Sequence, residues 1–95
     1  MTSNKDKGFV ILEQIHTIGF PRAENINQII DLADQLQALS DSFHSADQLA
    51  CLQLQEIVHR MREALTHHGE IPVKLYAELN RKYIVLKSGL HHHNE

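Results

Sequence analysis

Residues 22–68 read RAENINQIIDLADQLQALSDSFHSADQLACLQLQEIVHRMREALTHH, 47 residues with neither glycine nor proline. Gly19 and Pro21 stand before this stretch, and Gly69 and Pro72 follow it. Glycine closes a helix by taking the left-handed conformation, and proline suits the first turn of the next helix. The chain therefore divides into a short helix, a long helical middle and a final helix. The expected class is all-α, a small bundle of three to four helices.

Within the middle, Ile29, Leu32, Leu36, Leu39 and Phe43 recur at steps of three and four. Ala50, Leu54, Ile57, Met61 and Leu65 continue the pattern. At about 100° per residue, Leu36, Leu54 and Met61 fall almost on one line of a straight helix. That phase allows one helix of about 70 Å, at about 1.5 Å per residue. Against it stands Ser40-Asp41-Ser42-Phe43-His44-Ser45, rich in side chains that compete for the backbone. Ser45 and Gln48 also have the spacing of a capping box. The reading adopted is a kink or break near 43–46, which folds the middle back into a compact four-helix bundle. An unbroken middle would instead make a long hairpin needing a second copy to cover its stripe.

Working outward, Ser3 or Asn4 can cap a first helix through Ile18, with Phe9, Leu12, Ile15 and Ile18 at helical spacing. The second helix is expected to start near Pro21. The last begins at Pro72 and aligns Leu75, Tyr76, Leu79, Tyr83, Leu86 and Leu90. Ile84 and Val85 point off that stripe, so this helix is apolar on more than one side. Tyr83, Ile84, Val85 and Leu86 are accordingly the interface candidates. Phe9–Leu12 and Tyr83–Leu86 are also β-compatible runs, which leaves a short strand open at either end. The segment from Leu90 to Glu95 reads as a frayed end, with 91–95 a flexible tail.

Ninety-five residues make a single domain, of 1–95, and a chain this short buries only about 60–65% of its unfolded surface. Association would add to its stability. The apolar content is 42% and tryptophan is missing, so the core must be largely aliphatic. Cys51 is alone and can form no disulfide within the chain, so nothing points to an oxidising compartment. Lys5 and Lys7 precede Phe9-Val10-Ile11-Leu12 in the outline of a secretion signal, but Glu13, Gln14 and His16 cut the apolar run short. No run reaches the roughly 20 apolar residues that span a bilayer. The expected setting is the cytoplasm, with no membrane partner.

The net charge of −3 is unevenly spread. Residues 23–59 carry six acids and no lysine or arginine, whereas 60–95 carry six bases and four acids. So weak a basic region argues against nucleic-acid binding, which needs a face able to compete for phosphate. Packing of an acidic helix beside a more basic one accounts for the pattern.

Eight histidines invite a metal reading. Glu56, His59, Glu63 and His67 follow at steps of three, four and four and share one helical face. Glu56-x-x-His59 has the spacing of the Glu-x-x-His pairs in di-iron bundles, but those need carboxylates from other helices and an inward face. This face lies roughly opposite the Met61 stripe, so it reads as solvated, with surface zinc or nickel as the alternative. His91-His92-His93 could add tail ligands. His67 and His68 meet the negative end of the helix dipole, and His68 lies near enough to the stripe to cover the core. Cys51 sits at the edge of the stripe as a small buried residue.

His59-Arg60-Met61-Arg62-Glu63-Ala64 locally resembles the motif of histidine-containing phosphotransfer domains of bacterial relays. That resemblance implies His59 as the phosphoacceptor and Arg62 as its basic neighbour, with Glu63 standing where the motif has glycine. There is no phosphate loop, nucleophile elbow or Cys-x-x-Cys, and no pair of groups has evident catalytic roles. The expected function is therefore non-enzymatic: a small interaction or regulatory protein that forms a homodimer or binds another protein in the helix-in-groove manner, without a cofactor. Regulators, antiactivators, secretion chaperones and immunity-type proteins share this profile. The alternative is a His-rich bundle holding zinc or nickel.

Overall fold

A computed structural model describes residues 3–92, with the side chains of 3–91. The helices are α1 (Asn4–Ile18), α2 (Ile26–Leu39), α3 (Ser45–His68) and α4 (Val73–His92), with one 3₁₀ turn at Ser40–Ser42 between α2 and α3. No strand occurs among the described residues, and both β-compatible runs are helical. Each helix packs on its neighbours in the chain, and α1 also packs on α4, which closes a four-helix bundle.

Ser3 caps α1, its hydroxyl accepting from the Asp6 amide at 3.1 Å. Gly19 and Gly69 both take positive φ, 90° and 77°, but only Gly69 closes its helix in the expected left-handed conformation, since Gly19 has ψ of −151°. The start of α2 differs from the expectation near Pro21. Its first residue is Ile26, because Asn25 holds the preceding turn: its side chain donates to the Phe20 carbonyl and accepts from the Arg22 amide. Asparagine competes in this way with the helix backbone.

The break in the middle is real, and it makes the bundle compact. The longest dimension is 43 Å, far short of a continuous 70 Å helix. Ser40 ends α2 by donating its hydroxyl to the Gln37 carbonyl at 2.7 Å. Phe43 and His44 are extended, and α3 starts at Ser45. The expected capping box does not form. Ser45 is the first helical residue rather than the cap, and Gln48 donates back to the carbonyls of Phe43 and Asp41.

Phe43 explains why the chain turns here. Only 5% exposed, its ring runs in against Gly8 of α1, so close that a Cβ there would lie 2.7 Å from the ring. Leu36 and Leu90 close around the same point. Asn4 ties the start of α1 to the turn by donating to the Ser42 hydroxyl at 2.7 Å.

The fully buried side chains include Leu12, Ile29, Leu36, Leu54, Met61, Leu86 and Leu90. These are stripe positions of all four helices, each contributing about 1.5–3 kcal/mol by burial. Ile26, Ile30, Ala33 and Val58 widen the core beyond the stripes. Leu90 is 1% exposed, so the end of the chain is packed further than a frayed segment from Leu90 would be. α4 continues to His92, and the His91 ring lies 6.2 Å from that of Phe9. The rest of the expected tail, 93–95, lies outside the described residues.

Replacing Gly8 by valine is expected to destabilise the fold by about 1–3 kcal/mol through overpacking against Phe43 and Leu36. Urea denaturation checks this, and a neutral effect would mean that Phe43 does not fill this space.

Candidate functional site: a cavity between the first and last helices

α1 and α4 run antiparallel, as the pairs Phe9–His91, Glu13–Lys87, His16–Tyr83 and Phe20–Tyr76 show. Between the last two levels the helices part around a cavity of about 280 Å³. Its floor is aliphatic: Leu12 and Ile15 from α1, Ile29 from α2, Leu54 from α3 and Leu79 from α4. Its rim carries His16, Phe20, Tyr76, Asn80 and Tyr83.

Two cross-links bound it, one from α4 to the loop after α1 and one between α1 and α4. At one end the Tyr76 hydroxyl donates to the Pro21 carbonyl at 2.9 Å, and the Phe20 ring meets Tyr76 edge-on at 5.4 Å. At the other, the Tyr83 hydroxyl donates to Glu13 Oε2 at 2.8 Å, and His16 stacks on Tyr83 at 4.5 Å. Lys87 Nζ stands 3.6 Å from Glu13 Oε1 and 5.7 Å from the centre of the Tyr83 ring. Burial and the hydrogen bond to Glu13 raise the Tyr83 phenol above its ordinary pKa. Tyr83 and Glu13 raise that of the Lys87 ammonium. Sequence reasoning placed Tyr76 and Tyr83 on the core stripe and missed the cavity. The available signal was the spacing of Tyr76 and Tyr83, seven apart on one face of α4.

The residues singled out for metal are spread along an exposed face. Glu56, Glu63 and His67 are exposed, and His59 is partly so. His59 turns toward α2, its Nε2 3.5 Å from Asp34 Oδ1, an oxygen that also accepts from Gln55 at 2.7 Å. No group of three or more His, Cys, Asp or Glu side chains that could hold a metal ion occurs among the described residues. A phosphoryl group on His59 would sit beside the Asp34 carboxylate, and like charges repel there. Nor does His68 cover the core, for it is exposed at the helix end beside His67.

The four interface candidates separate. Ile84 and Val85 are 55% and 48% exposed, whereas Leu86 is fully buried in the core of its own chain. Tyr83 is half-turned into the cavity rim and tied to Glu13. A strict 3.6-residue stripe explains the division: Leu86 follows Leu79 by seven residues, and Ile84 and Val85 fall outside that line. Cys51 is buried, as its place at the stripe edge implied, and burial pushes its thiol up to about 12, with Asp47 adding to the shift.

Two measurements test this description. Because the Cys51 thiol loses its proton near pH 9 when unfolded but not until about 12 when folded, the unfolded state holds fewer protons between those values. Stability should therefore fall above pH 9, by up to about 1.4 kcal/mol per pH unit, and urea melts of Cys51→Ala should lack that component. Separately, micromolar zinc or nickel binding measured by calorimetry should disappear when residues 91–95 are deleted. Binding retained by the truncated protein but lost in His59→Ala would assign a site to the α3 face instead.

Compared with known proteins, the chain matches no protein family, no curated protein sequence and no solved structure.

Proposed function

We propose that the protein is a small non-enzymatic interaction protein that works by pairing with a second copy of itself. The observation that carries this reading is the set of large apolar side chains that α3 and α4 leave exposed. Ile84 and Val85 on α4 and Leu49 and Leu52 on α3 are each between 42% and 55% exposed. Along the bundle axis they stand at matching heights. Asp47 lies against Gly89, and Gln53 and Glu56 share a furrow with Arg81 and Lys82, so Leu49 and Leu52 stand at the level of Val85 and Ile84.

Charge favours a second copy over an unrelated partner. The furrow between α3 and α4 carries Glu56 and Glu78 together with Arg60, Arg81 and Lys82. A two-fold axis across it sets the acids of one copy over the bases of the other, a self-complementary arrangement. At about 25 cal/mol per Å², covering several hundred Å² of apolar surface contributes several kcal/mol before the cost of association. The dimer would then be the unit that meets other proteins.

Sedimentation equilibrium at tens of micromolar is expected to give a homodimer, with Ile84→Asp or Val85→Asp weakening it by about tenfold or more. Substitutions at Glu63 or His67 should leave it unchanged. A clean monomer at that concentration would overturn the reading.

A further inference from the structure

We propose that the cavity between α1 and α4 is a binding site for a small aromatic molecule bearing one oxygen-containing polar end. It is separate from the outer face of α3 and α4, since neither Ile84 nor Val85 lines it. Its size, the cross-links at its two ends and the chemistry of its rim support this assignment.

Benzene fills a cavity of about 150 Å³. The roughly 280 Å³ here therefore takes one ring with a short side chain, or two fused rings. Its cross-linked ends rule against a longer occupant, although its mouth is open to solvent. A docked helix needs a groove open along its length, with anchors on successive turns. This cavity is stopped at one end by the Tyr76–Pro21 hydrogen bond and at the other by the Tyr83–Glu13–Lys87 bridge.

The rim then specifies the ligand. Rings of Phe20, Tyr76 and Tyr83 flank the opening over an aliphatic floor, and flat aromatic ligands gain from edge-on and offset contacts with such rings. Tyr76 and Tyr83 have their hydroxyls committed to Pro21 and Glu13. The Asn80 carboxamide and the His16 ring are exposed at the mouth of the cavity, where an entering ligand can reach them. Asn80 offers two N–H donors and His16 at least one, a pairing that suits a hydroxyl or carboxylate oxygen. An apolar cavity with a few convergent polar groups is the usual form of a small-molecule site.

The test is an NMR titration of the full chain with phenol, benzoate and toluene, each to about 10 mM. Saturable shifts confined to Ile15–Pro21 and Tyr76–Tyr83 are expected, with phenol or benzoate binding more tightly than toluene. Asn80→Ala should weaken the oxygen-bearing probes by about fivefold and leave toluene unchanged. Leu79→Trp, which fills the space with an indole, should weaken all three by about tenfold or more while keeping the helical circular dichroism. No saturable shift with any probe would overturn the proposal. So would binding that survives Leu79→Trp in a folded protein, or an Asn80→Ala effect equal for toluene and phenol. Cavity resonances that move only as protein concentration rises would assign the space to a second copy instead.

Discussion

The seating of Phe43 against Gly8 is the contact on which the rest of the structure depends. The residues before and after it could each continue a helix, and their apolar stripes even keep phase. What reverses the chain is a bulky ring with a place to go, because α1 has no side chain at that point. Ser40 supplies the local means by bonding back to Gln37. Once the middle is split, α2 and α3 become antiparallel neighbours. Their stripes then face the same core instead of trailing along one rod. Leu36 and Leu90 complete the packing around Gly8, so the turn between α2 and α3 also fixes the far end of α4.

That same closure leaves a different balance on each side of the molecule. α3 packs on both α2 and α4, with Ile57, Val58 and Met61 buried between them. The α1–α4 seam is joined by aromatic and charged cross-links: Phe20 on Tyr76, His16 on Tyr83, Glu13 with Lys87. Aromatic side chains reaching across a seam hold two helices together at points, and they leave a gap between those points where no aliphatic side chain interdigitates. The cavity follows from that choice of side chains. Outside, the bundle cannot cover everything either, because α4 is apolar at Ile84 and Val85 as well as along its core line.

The charges arrange themselves around these packing constraints. Asp34 of α2 receives Gln55 and lies near His59, both on α3. An imidazole that sequence spacing grouped with Glu56 and Glu63 thus turns to a neighbouring helix, and pairs of this exposed kind contribute at most about 1 kcal/mol. Side chains on one helical face need not converge, since each turns toward whatever the next helix presents. Among the described residues, the histidines are therefore dispersed rather than gathered at one point.

The sequence by itself determined the class, the helix ends at Gly19 and Gly69 and most of the core, and it marked Ser40–Ser45 as the place where the middle could break. These follow from local chemistry: glycine's access to positive φ, serine's competition with the backbone, and apolar repeats that only a helix brings to one face. Tertiary structure alone decided the remainder. Asn25 delayed α2 through contacts with Phe20 and Arg22, and Gln48 turned to backbone carbonyls instead of completing a capping box. Leu86 went to the core while Ile84 and Val85 stayed outside, and Leu90 was held at an end that composition made look loose. The cavity belongs to this second group. It is a space between residues far apart in the chain, such as His16 and Tyr83, and its shape depends on how far two helices stand from each other. No periodicity along one chain carries that distance, because it is set by the side chains that meet between them.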